Sequence, residues 1–184
     1  FTPVLRSYTI TWVDGNGATI KTEQVPYGTT PEYTGETPNK TATAQYSYSF
    51  TGWDPEIVAV TGDQTYTAQF EATVNEYTIT WVDGNGDTLK TEQVPYGTTP
   101  SYTGETPTKT ATAQYTYTFN NTWSPEIVSV TEAATYTAQF DATVNEYTIT
   151  WVDGNGDTLK TEQVAYGETP AYTGETPTKT ATAQ

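Results

Sequence analysis

The segment YTITWVDGNG begins at Tyr8, again at Tyr77 and again at Tyr147, at spacings of 69 and 70 residues. Recurrence at a fixed period limits what a chain can fold into more than any local pattern does, because each copy must solve the same packing problem. The extra residue falls where Phe50, Thr51, Gly52 and Trp53 become Phe119, Asn120, Asn121, Thr122 and Trp123. Tyr77–Gln114 and Tyr147–Gln184 differ only at Pro95/Ala165, Thr98/Glu168 and Ser101/Ala171. A period near 70 exceeds the ~20–45 residues of a solenoid turn, and a unit of that size can hold a small core of its own.

The expected organisation is therefore a row of small domains. Residues 1–7 read as the end of a preceding repeat and a linker, with Phe1 in the place that Phe70 holds before Tyr77. Repeat 1 spans 8–70, a linker 71–76, repeat 2 77–140, a second linker 141–146, and residues 147–184 give the first half of a third repeat. The linkers contain neither Gly nor Pro, unlike loose Gly/Ser tethers.

Within one unit, Tyr8–Val13 alternates apolar and polar side chains, which predicts a strand with Tyr8, Ile10 and Trp12 on one face. Asp14, Gly15, Asn16 and Gly17 supply a hairpin turn, and Ala18–Val25 the returning strand. Pro31, Gly35 and Pro38 make the next stretch loop, and Thr37 followed by Pro38 predicts a short helix toward Gln45. Tyr46–Phe50 reads as a third strand, Ile57–Val60 as a short strand or packed loop, and Thr65–Phe70 as the last strand. The expected class is α+β, mostly β: tandem β-grasp-like units, each two strand pairs with a short helix or loop between.

Composition narrows function. With 22 acidic against 7 basic residues the net charge is −15, which repels nucleic-acid phosphates and anionic lipid. There is no Cys, His or Met; disulfides, thiolate sites, cysteine nucleophiles and the usual general base are excluded. Abundant Thr, Tyr, Val and Trp suit a pleated surface, and an aromatic fraction of 14% argues against disorder. No apolar run approaches the ~20 residues of a membrane span, so no membrane insertion is expected.

The opening YTITWVDGNG, the aromatic strand ending in FTGW (Tyr46–Trp53) and the closing TYTAQF (Thr65–Phe70) resemble the Listeria–Bacteroides repeat family, the B-repeat type of internalin-like surface proteins. The resemblance covers both full units and the half unit. It implies compact β-grasp-like domains on an exported, cell-surface-attached bacterial protein, often in tandem near a cell-wall anchor. It brings no catalytic residues and no cofactor. The second repeat departs from the pattern at Asn121, Thr122 and Trp123.

Four constellations need weighing. Asp83, Asn85 and Asp87 place acceptors at alternate positions, as a calcium loop does, but Thr88 and Val94 stand where an EF-hand needs Gly and an acid; a hairpin turn accounts for the segment. Glu23, Glu36 and Glu56 could be read as glycosidase-type carboxylates, against a solvated surface. Lys21, Lys40, Lys90 and Lys109 are crosslink candidates if buried. The loop tyrosines Tyr27, Tyr33, Tyr96 and Tyr102 form either a ligand-binding platform or a lid over the sheet. The expected function is a non-enzymatic spacer or stalk of an extracellular, adhesin-like protein, whose partners are neighbouring repeats of the same chain. The alternative is a weak multivalent module for host glycan or extracellular-matrix protein.

Overall fold

The computed structural model describes residues 4–181. Phe1, read above as the last residue of a preceding repeat, and Gln184 lie outside them. Among the described residues, ten strands form two four-stranded sheets and one strand pair. The first sheet comprises β1 (Ser7–Val13), β2 (Thr19–Pro26), β3 (Tyr46–Asp54) and β4 (Gln64–Val74), in the order β2-β1-β4-β3. The second repeats that order with β5 (Glu76–Val82), β6 (Thr88–Pro95), β7 (Tyr115–Ser124) and β8 (Ala134–Val144). The pair consists of β9 (Glu146–Val152) and β10 (Thr158–Ala165).

By contacts the chain forms two compact units. The first runs to Thr78 and takes in Gln93–Pro100 and Ser129–Ala134; the second holds Ile79–Glu92, Ser101–Val128 and the residues from Thr135 on.

Strand β1 pairs antiparallel with β2, Ile10 facing Glu23, and parallel with β4, Trp12 facing Tyr66. Placing Trp12 beside Tyr66 centres the core: Ile10, Trp12, Val25, Val60 and Tyr66 are buried together, with Tyr8, Tyr33, Trp53 and Ile57 packed against them. The Trp12 ring stacks on Tyr66 at 4.9 Å and meets Trp53 edge-on at 4.6 Å. Such contacts add about 0.5–1.5 kcal/mol each beyond area burial. Ile79 and Trp81 are likewise fully buried in the second repeat. Trp151 is only half-buried, since β9 has β10 as its neighbour and no strand beside it among the described residues takes the place of β4.

Two expectations are corrected. The described residues contain no helix, so the fold is all-β rather than α+β, and the covering helix of a grasp-like layer is absent. Residues 37–45 are irregular because their backbone groups find partners elsewhere. Thr41 N–H donates to Asn16 Oδ1, Thr43 N–H to the Tyr46 carbonyl, and Tyr46 N–H back to Thr43 Oγ1. Thr, a weak helix former whose hydroxyl can bond nearby backbone, alternates with Ala here and offers little resistance to that competition. The expected linkers are strand: β4 continues to Val74, pairing Tyr46 with Val74, and β8 continues to Val144. Only Asn75 separates β4 from β5, and only Asn145 separates β8 from β9. Ile57–Val60 is a packed loop, held by Gly28 N–H to the Val60 carbonyl and Val60 N–H to the Thr29 carbonyl.

Candidate functional site

The side chains singled out in the sequence divide into those that build the fold and those that stay available. The β1–β2 turn is built by Asp14, whose Oδ1 accepts from the N–H groups of Asn16 and Ala18, both at 2.8 Å. Its backbone bonds, that to Ala18 foremost, hold the carboxyl below the usual range. Asp83 repeats the arrangement, with Oδ1 accepting from Asn85 and Asp87 N–H and Oδ2 from Asn85 Nδ2. Asn85 Oδ1 accepts from Thr110 N–H at 2.8 Å. The oxygens that would have faced calcium from Asp83 and Asn85 thus close a hairpin and stitch it to the loop behind. Among the described residues no group of three or more acidic side chains is placed to hold a metal ion.

Glu23 is a partly buried carboxylate. It accepts from the buried Trp12 indole N–H at 2.9 Å and pairs with Lys21 at 2.7 Å. Desolvation opposes its ionisation, but those two partners outweigh it and its pKa is lowered. The same triad joins Trp81, Glu92 and Lys90, and Trp151, Glu162 and Lys160. In Glu92 the lysine contact is the largest cause of the lowering. Lys21, Lys90 and Lys160 are therefore ion-pair partners, while Lys40 and Lys109 lie over the Tyr48 and Tyr117 rings at 4.4 Å. The triad escaped sequence reasoning because its members sit on two strands; its signal was the joint recurrence of Trp, Lys and Glu in every copy.

The loop tyrosines separate into two kinds. Tyr33 wedges between Trp12 at 5.3 Å and Trp53 at 5.0 Å, and Tyr102 between Trp81 at 5.4 Å and Trp123 at 5.0 Å. They close the core as lids. Tyr27 stays 56% exposed beside Tyr8, whereas Tyr96 is half-buried. Tyr96 N–H donates to the Asn75 carbonyl, which brings it to the joint.

The joints carry a hydrogen-bond geometry that the sequence did not reveal. Asn75 N–H donates to the Gln45 carbonyl, its Nδ2 to the Thr43 and Ala44 carbonyls at 2.8 and 3.0 Å, and Tyr77 hydroxyl to Ala44 at 2.7 Å. In the second joint Asn145 bonds Gln114, Thr112 and Ala113, Tyr147 hydroxyl bonds Ala113, and Tyr166 N–H bonds the Asn145 carbonyl. Arg6 stands at the equivalent place before the first repeat, its carbonyl accepting from Tyr27 N–H.

Fold and recurrence define an all-β tandem-repeat protein. No family model matches the chain, and no curated protein matches it. Among solved structures it is similar to streptococcal high identity repeats in tandem (SHIRT) domains 3-4 from a cell surface protein, at 16% identity over 76% of this chain and 99% of that one, with a TM-score of 0.33. It is also similar to Mub-RV, at 19% identity over 73% of this chain and 100% of that one, with a TM-score of 0.17.

Proposed function

We propose that the chain is a run of non-enzymatic spacer repeats in an extracellular bacterial surface protein, each repeat adding a set increment of reach to a distal functional region. The observation that carries this reading is the joint. A single asparagine separates the strands at each joint, and the same hydrogen bonds recur at Asn75 and Asn145. A chain whose purpose was to let domains move independently would place Gly or Ser there. The resemblance to Listeria–Bacteroides repeats supports the surface location, and the acidic balance suits a stalk that is not drawn to phosphate-rich surfaces.

The test is to display a reporter domain on a bacterial surface through one, two or three repeats and to measure its distance from the wall. Reach rising by an equal step per repeat supports the spacer. Reach independent of repeat number overturns it.

A further inference from the structure

Between strand β2 and the loop that follows Tyr33 lies a cleft of about 330 Å³, within the ~300–1,000 Å³ of small-molecule sites. Its lining includes Asp14, Ile20, Tyr33, Glu36, Thr37 and Asn39. Both flanks are pinned. On one side Gly15 N–H donates to the Asn39 carbonyl and Asn16 Nδ2 to Asn39 Oδ1. On the other, Lys21 Nζ donates to Thr34 Oγ1 at 3.2 Å. The cleft is thus preformed, and a ligand entering it would not have to order the loop first.

We propose that this cleft is a binding subsite for one neutral sugar ring. A pyranose has an apolar C–H face and a rim of hydroxyls. Ile20 is apolar yet 37% exposed and supplies the wall for that face, with Tyr33 beside it in the lining. Glu36 offers acceptor oxygens for charge-assisted hydroxyl contacts, and Thr37 and Asn39 offer groups that donate and accept. Asp14 and Glu36, in a chain of net charge −15, disfavour sialylated or sulfated sugars. The residues recur as Asp83, Leu89, Tyr102, Glu105 and Thr106, with Thr108 for Asn39, and the third copy keeps Asp153, Leu159, Tyr172 and Glu175. Weak sites repeated along one chain gain avidity on a multivalent glycan. Binding at this cleft is independent of the spacer role.

The test is an NMR titration of the full chain with lactose, mannobiose and chitobiose, and with sialyllactose and a proline-rich peptide as contrasts. At least one neutral disaccharide is expected to give saturable shifts at the Ile20 and Leu89 methyls and the Gly35 and Gly104 amides, with sialyllactose at least about tenfold weaker. The triple variant Ile20→Ser/Leu89→Ser/Leu159→Ser is expected to weaken binding at least about tenfold while the Trp12 and Trp81 indole signals keep their positions. The double variant Glu36→Gln/Glu105→Gln keeps the apolar wall and is expected to lessen the preference against sialyllactose. No saturable shift with any neutral sugar, tighter binding of sialyllactose or of the peptide, or equal affinity in the triple variant overturns the proposal.

Discussion

Gly84 shows how tightly the turn is packed. A Cβ there would stand 2.6 Å from both Lys109 Cβ and Phe140 Cε2. Gly154, the same residue in the third copy, has its three nearest contacts in the flexible Lys179 side chain, from 2.7 Å. Gly84→Ala is therefore expected to cost about 1–3 kcal/mol through overpacking, and Gly154→Ala less; separate thermal melts of the two variants check this. Charge acts at the same scale. Glu23, Glu92 and Glu162, with Asp14, Asp83 and Asp153, all have lowered pKa values in the fold. A depressed carboxyl gives stability that is present above its unfolded pKa and lost as pH falls through the folded one. The melting temperature is thus expected to hold near neutrality and to fall below about pH 4. Glu92→Gln keeps an acceptor for the Trp81 indole and should flatten that fall; an unchanged acid profile would remove the triad from the explanation.

At the level of single elements, the second repeat absorbs its extra residue as a bulge between Phe119 and Trp123, and Asn121 takes φ 64°. Asn tolerates the left-handed region where a β-branched residue does not. Asn121→Val is expected to destabilise by about 1–2 kcal/mol and Asn121→Gly by far less, read by chemical denaturation. What was legible at this scale was local: the alternation in Tyr8–Val13, the turn at Asp14 and a closing strand over Thr65–Phe70 all appear as read. The short helix was not legible, because its competitors lie far along the chain: Asn16 reaches Thr41 from the preceding hairpin. The continuation of β4 through 71–74 depends on β3 lying opposite it, and that pairing is invisible to a pattern counted along one segment. Of the binding candidates, Tyr33 was visible as an aromatic in a loop, but its seat between two tryptophans required the fold.

Across the whole molecule, Asn75 and Asn145 are hydrogen-bonded parts of the structure rather than tethers. Their carboxamides each donate to two carbonyls of the preceding repeat. Losing those bonds in Asn75→Ala or Asn145→Ala is expected to cost about 1 kcal/mol and to lower the unfolding temperature. Backbone 15N relaxation at these two amides distinguishes a rigid joint from a loose one. The account predicts order parameters equal to those of the flanking strands, near ~0.85. Values falling below ~0.6 at Asn75 and Asn145 alone would make the joints loose linkers and contradict it.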